Sequence, residues 1–295
     1  MKKLFTIGAL ILLILVLSGC SYKSDNSASS FDKGTKGVEA HFFQNTPPPQ
    51  VYNNQELDIP ILVENKGTFD TTASVFLVGF DKNILEGQNS ASFSLKGVSR
   101  VMPTGEIKDF TFKLNPHLPQ DSDMFTTPIS LYVCYPYETK HTFSVCVSPT
   151  ITYSSSAQCD PNKPLSFSGG QGAPVAITGI QQVPGQGLTT FNINIANVGG
   201  GTVLDSSKVN SCLEASKMDL NKVNVGDVTI PGASVSCSPK VVYLVNGKGQ
   251  FTCTATFSHG SGSAPYVTSM SIILKYGYKK LEENKQISII RSVKG

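Results

Sequence analysis

The chain has no tryptophan, four histidines among 295 residues, and charged residues at only 15%. Each shortage removes a class of function. Without tryptophan, the best stacking platform for sugars is missing, although the tyrosines can still supply one. The four histidines, His41, His117, His141 and His259, have no nucleophile or carboxylate at a recognised motif spacing. His41 sits in an alternating stretch as a face residue, and His117 and His259 sit beside turn residues, so no catalytic residues are expected and the chain reads as a non-enzyme. No Cys-x-x-Cys and no Cys/His cluster occurs, so neither a metal site nor a cofactor is expected. Asp121-Ser122-Asp123 has too few carboxylates for a calcium loop. Gly169-Gly170-Gln171-Gly172 and Gly185-Gln186-Gly187 run into strand-like stretches where a phosphate loop needs a helix. Asn-x-Ser/Thr acceptors are absent too.

Apolar residues never recur at i, i+3, i+4, i+7 over three turns, which leaves no room for substantial helices. They alternate instead. Leu57-x-Ile59-x-Ile61-x-Val63 and Ala73-x-Val75-x-Leu77 open one series, and Phe191-x-Ile193-x-Ile195, Phe251-x-Cys253-x-Ala255-x-Phe257 and Ile287-x-Ile289 belong to a second. Period two marks half-buried strands, and Pro47-Pro48-Pro49, Pro103-Thr104-Gly105 and Asn246-Gly247 punctuate them. About seven strands in roughly 110 residues is the rhythm of an immunoglobulin-like sandwich. The expected architecture is all-β: two tandem immunoglobulin-like β-sandwich domains, at 37–150 and 173–295, joined by a Ser/Gly/Pro-rich linker at 151–172. The mixed charges of 275–285 read as the solvated end of a hairpin.

The chain's first 19 residues differ in kind. Lys2 and Lys3 precede an apolar run from Leu4 to Leu17, broken only by Thr6 and Gly8. That run has the form of a secretory signal and is short of the roughly 20 residues that a membrane span needs. Leu17-Ser18-Gly19-Cys20 resembles a lipobox, the site at which prokaryotic lipoproteins are cleaved and acylated on the new terminal cysteine. The resemblance implies a signal peptide at 1–19, lipid attachment at Cys20, a flexible tether at 20–36, and a place on the outer face of the cell membrane. Removing 1–19 takes Lys2 and Lys3 from the 24 basic residues and nothing from the 21 acidic ones, which leaves a charge of +1. Nucleic acid is therefore no expected partner. Expected instead are the membrane, reached through the lipid, and an envelope protein or polysaccharide.

Six cysteines remain, Cys134, Cys146, Cys159, Cys212, Cys237 and Cys253. An even number in an exported chain points to disulfides, with 15 possible connectivities. Cys134 and Cys146 are symmetric about position 140, in the polar stretch Glu138-Thr139-Lys140-His141, so a hairpin there would pair them across its strands. Cys237 and Cys253 lie three positions off the register that an Asn246-Gly247 turn would set, with Ser238-Pro239 available to absorb the slack. Elimination then pairs Cys159 with Cys212. Tyr132, Tyr135, Tyr137 and His141 lie on the same expected hairpin, either as an outward contact surface or packed over the disulfide.

Leu57 to Thr68, ending in Asn65-Lys66-Gly67, resembles the strand-plus-turn of CARDB-type adhesion-related modules, and Phe191 to Gly200, with Asn197-Val198-Gly199, repeats the figure. The lipobox, the Cys134-Tyr135-Pro136-Tyr137 stretch and the tandem modules together resemble archaeal surface lipoproteins. Such a family implies non-catalytic adhesion, spacing or envelope assembly, with no catalytic residues to carry over. An extracytoplasmic solute- or polysaccharide-binding component, or a hydrolase accessory module, is the alternative.

Overall fold

The computed structural model describes residues 33–148, 150, 151, 158–257 and 264–292. The signal peptide, Cys20, most of the tether and His259 lie outside the described residues. The first series of alternating segments forms β1 (Val38–Phe42), β2 (Gln50–Tyr52), β3 (Leu57–Asn65), β4 (Thr71–Val78), β5 (Leu85–Gly87), β6 (Ser90–Leu95), β7 (Ile107–Pro116) and β8 (Met124–Val147). The rest forms β9 (Leu165–Ser166), β10 (Val175–Pro184), β11 (Leu188–Asn197), β12 (Thr202–Leu204), β13 (Lys222–Thr229), β14 (Ala233–Ser238), β15 (Val241–Tyr243), β16 (Lys248–Phe257) and β17 (Tyr266–Ile290). Helix among the described residues is confined to two 3-10 segments, Ser206–Glu214 and Lys217–Asp219.

The architecture is an all-β sandwich of three sheets. One has the order β1-β3-β7-β5, the second β14-β16-β11-β10-β9, and the third β15-β13-β17-β8-β4-β6. β12 pairs with β17 as well, and β2 runs parallel to its end. The third sheet holds the molecule together. β8 and β17, of 24 and 25 residues, pair antiparallel from Val147–Tyr266 to Met124–Ile290, with a single shift between Leu281 and Glu283. At roughly 3.3 Å per residue this ladder is about 80 Å long. Each long strand serves both halves: β8 pairs with β4 through residues 130–134, and β17 pairs with β13 through 271–275.

The two halves follow one plan. A constant offset along the chain carries Ile129, Leu131, Val133, Tyr135 and Tyr137 of β8 onto Met270, Ile272, Leu274, Tyr276 and Tyr278 of β17, and all ten are buried. Because Pro136 lies opposite Gly277, the relation acts as a local two-fold about that pair. A single apolar cluster runs through both halves, from Val38 to Ile289.

This ladder corrects three expectations. Residues 138–141 do not turn: Glu138, Thr139, Lys140 and His141 continue the strand opposite Lys275, Leu274, Ile273 and Ile272. The segment 275–285 is likewise the middle of β17 and no hairpin end. Cys134 and Cys146 do lie on the face away from the core, but they sit 12 residues apart on one extended strand, about 40 Å, and cannot meet. Cys134 bonds Cys212, in the longer 3-10 segment that covers it, and Cys146 bonds Cys159. The Cys159–Cys212 pairing therefore falls as well. Cys237 bonds Cys253 directly across β14 and β16. The Asn246-Gly247 turn also forms, with Val245 opposite Lys248. The three residues of slack go into β15, which leaves the disulfide's sheet to pair with β13.

Candidate functional site

The aromatic cluster at the crossing is built by alternation. Tyr135 and Tyr137 on β8, and Tyr276 and Tyr278 on β17, share one face of adjacent strands, with Tyr137 opposite Tyr276 and Tyr135 opposite Tyr278. Ring centroids lie 5.7 Å apart for Tyr135–Tyr278 and 6.1 Å for Tyr137–Tyr276. Tyr135 and Tyr137 are each 1% exposed, so the expected contact surface is interior. Tyr132 is half-buried on the opposite face, and His141 is half-buried with its ring 4.7 Å from Phe143. The four expected residues do not form one outward patch. Burial pushes the phenols of Tyr135, Tyr276 and Tyr137 up, and that of Tyr278 to about 12 against the pull of its bond from Gly201.

The hydroxyls of Tyr137 and Tyr278 each accept from a loop backbone N–H. Tyr137 Oη donates to Gly172 O at 2.9 Å and accepts from Phe69 N at 3.2 Å. Tyr278 Oη donates to Asn197 Oδ1 at 3.0 Å and accepts from Gly201 N at 2.6 Å. The two Asn-x-Gly turns are the other half of this device. Asn65 accepts from Gly67 N at 3.1 Å and donates to Phe69 O at 2.8 Å; Asn197 accepts from Gly199 N at 3.3 Å and donates to Gly201 O at 2.7 Å. Neither Gly67 nor Gly199 takes a positive φ. Glycine is needed at these positions for room: a Cβ on Gly67 would collide with the Tyr137 hydroxyl, and one on Gly199 would lie 2.6 Å from that of Tyr278.

The segment 158–172, expected as linker, is partly built into the body. Gln171 is buried and exchanges two hydrogen bonds with Ile177, and Gly34 is clipped between Gly169 and Gly172. Thr139 Oγ1 donates to Val175 O at 2.6 Å, and Ser148 and Thr189 exchange bonds at 3.1 and 2.9 Å.

Two features besides the hydroxyl clamps could do chemistry. An open cleft of about 520 Å³ is lined by Phe69, Leu95, Pro136, Tyr137 and Tyr276, with Asp70, Lys96, Glu138 and Lys275 at its edge. Lys96 lies 2.8 Å from Asp70 and, with Gly97 N, holds that carboxyl below its ordinary range. The second feature is a charged cluster on the outer face of β1 and β3, against β17. Glu39, 3% exposed, is held by Lys36, Lys66 and Lys280 at 2.9 to 3.0 Å. Burial works to raise its carboxyl, and the three ammonium groups outweigh that and hold it at about 2. Spacing could not reveal this cluster, since Glu39, Glu64 and Glu282 are distant in sequence and meet only through register.

His117 sits 3.2 Å from Asn54 and 3.5 Å from Glu86 at an exposed turn, and Asp123 lies 3.4 Å from Arg291. The structure gives no reason to join these groups into a site. Three disulfides indicate an oxidising, extracytoplasmic environment. No helix among the described residues is long and apolar enough to cross a membrane.

No family model matches the chain, and no curated protein matches it. Among solved structures, the crystal structure of red sea bream transglutaminase is similar at a TM-score of 0.19 and 8% identity, over 87% of this chain and 31% of that one. The chain thus spans about a third of that structure's length, and a likeness this faint carries no argument about function.

Proposed function

We propose that the chain is a lipoprotein of the outer membrane face, moored through acyl groups on Cys20, whose β body works as a non-catalytic spacer or assembly module. The observation that carries the reading is the β8–β17 ladder, which joins the two halves along their whole length. A body braced in this way suits stand-off and adhesion, where two ends must keep their separation. The buried tyrosine hydroxyls support it, since they serve loop backbone and not a substrate. The likeness of the Asn-x-Gly strands to adhesion-related modules agrees with it. Two acyl chains suffice for stable attachment, at about 0.8 kcal/mol per buried methylene.

Growth with a fatty-acid analogue tests the anchor. Label on the wild type and none on Cys20→Ala is the expected result, and an uncut, unlabelled chain in the cytosol refutes it. A broad screen that found turnover of an ester, glycoside or peptide would refute the non-catalytic part. The cleft beside Tyr137 favours a second reading, capture of a small apolar or glycan ligand, because its volume is in the range of ligand sites. Saturable glycan binding, lost on Phe69→Ala, would establish that reading.

A further inference from the structure

Register places Glu39 of β1 opposite Glu64 of β3. Like charges facing each other across an antiparallel pair repel, so a cation has to sit between them. Here it is the Lys66 ammonium, 3.0 Å from Glu39 Oε2 and in contact with Glu64 Oε1. His41, two residues along the same face, brings Nε2 to 3.9 Å from Glu39 Oε2 and 3.7 Å from Glu64 Oε1. Donor atoms of the three residues lie within 4.8 Å of one another.

Two further observations point to a ligand. The other ring nitrogen, His41 Nδ1, lies 3.5 Å from Glu283 Oε1, and the backbone N–H of Phe42 donates to that same oxygen at 3.2 Å and fixes it. Histidines that bind metals are oriented in this way, by a carboxylate on the far nitrogen. Next to it, the Glu282 side chain is 3% exposed, yet its Oε1 has no hydrogen-bond partner among the described residues. Its other oxygen shares Lys280 with Glu39, which puts this unsatisfied carboxylate beside the cluster. A buried oxygen left without a partner is costly, and an added cation nearby would offset part of that cost.

We propose that Glu39, His41 and Glu64 form a zinc-type divalent metal site, with Glu283 orienting His41 and the metal taking the place of the Lys66 ammonium. Histidine nitrogen and carboxylate oxygen are both zinc ligands, and three protein ligands with a fourth position for water is the form of an open zinc site, whereas calcium and magnesium need about six oxygens. Bonds of about 2.0–2.1 Å in a tetrahedron put ligand atoms about 3.4 Å apart. The separations of 3.7 and 3.9 Å from His41 need to close by a few tenths of an ångström, and the two carboxylate oxygens, within 4.8 Å of each other, by up to about 1.4 Å. Lys66 is 37% exposed, so its ammonium has solvent to turn into once a metal takes its place between the two carboxylates. Four carboxylates, Glu39, Glu64, Glu282 and Glu283, now face Lys36, Lys66, Lys280 and Lys285, so trading one ammonium for a dication shifts the balance by a single charge.

The test is calorimetric titration of the chelator-stripped chain with zinc chloride, in a Cys20→Ala background that removes the thiol outside the disulfides. One saturable site is expected, together with a zinc-dependent rise in unfolding temperature. His41→Ala and Glu64→Gln should weaken binding by more than about 10-fold, and Glu283→Gln by about 10-fold. Lys66→Ala should tighten it, since the ammonium that bridges both carboxylates is then gone. Near-UV circular dichroism without zinc confirms that each variant is folded. Absence of binding by a folded Lys66→Ala chain, or binding undiminished in a folded His41→Ala chain, overturns the site.

Discussion

Replacing Tyr137 by phenylalanine removes one oxygen and leaves the ring, so its cost can be worked bond by bond. Gly172 O loses one donor and keeps another, the Thr68 N–H at 2.9 Å. Among the described residues the Tyr137 hydroxyl is the acceptor of Phe69 N, which becomes an unsatisfied, part-buried donor. That penalty is about 1–3 kcal/mol. Tyr278→Phe repeats the event in the other half: Asn197 Oδ1 keeps Gly199 N, while Gly201 N loses its acceptor. The two variants should therefore cost nearly the same, about 2 kcal/mol each, or about 4–8 °C in unfolding temperature for a body of this size. Tyr243→Phe, at a ring 60% exposed, is the control and should shift stability by less than about 0.5 kcal/mol. Urea unfolding gives the energies, and amide exchange at Phe69 and Gly201 shows whether the named N–H groups are the ones released. If either tyrosine variant matched the control, or one cost several times the other, the reasoning from matched loop clamps would fail.

Two other outcomes follow from the bonds and charges. Closing loops of 78 and 13 residues, the Cys134–Cys212 and Cys146–Cys159 bridges should contribute about 4.5 and about 2.9 kcal/mol by chain entropy, so the paired alanine variant of the first should melt at the lower temperature of the two in calorimetry. Glu39 has a folded pKa of about 2 against 4.5 in the unfolded chain, so its contribution is complete above pH 4.5 and is lost as pH falls toward 2. Glu39→Gln should therefore be less stable than wild type by about 1–2 kcal/mol at pH 6, after allowance for solvent screening at the half-exposed lysines, and the gap should close near pH 2 in acid titrations followed by circular dichroism.

Alternation made the strands legible, because a half-buried strand imposes its period on whatever sequence forms it. It placed Leu57, Ile59, Ile61 and Val63 in the core and put Cys134 and Cys146 on the outer face. The Asn246-Gly247 turn was equally readable, since both residues must take positive φ, and they do, at 50° and 75°. Thr139 shows where this stops. It is fully buried in the middle of β8, and its hydroxyl is satisfied by Val175 from the other half and by Tyr276. A polar residue whose partner is supplied by tertiary structure looks, in sequence, like a turn residue. That one ambiguity, at 138–141, misplaced the hairpin, two disulfides and the tyrosine surface together. The Glu39–His41–Glu64 cluster was hidden for a related reason: it depends on which strand pairs with which, and spacing along the chain does not encode that.

The same ladder decides how the halves can move. Two sandwiches joined by a loop bend at the loop, and such motion costs little. Here bending at Pro136–Gly277 would have to open pairs on a sheet that continues on either side, each worth about 1 kcal/mol net, and would tear the buried bonds from Tyr137 to Gly172 and from Thr139 to Val175. Several kcal/mol must be lost at once before any angle is gained. The clip of Gly34 between Gly169 and Gly172 fixes the start of the described chain to the same region, next to the entry into β1. The ends of the long ladder therefore keep their spacing.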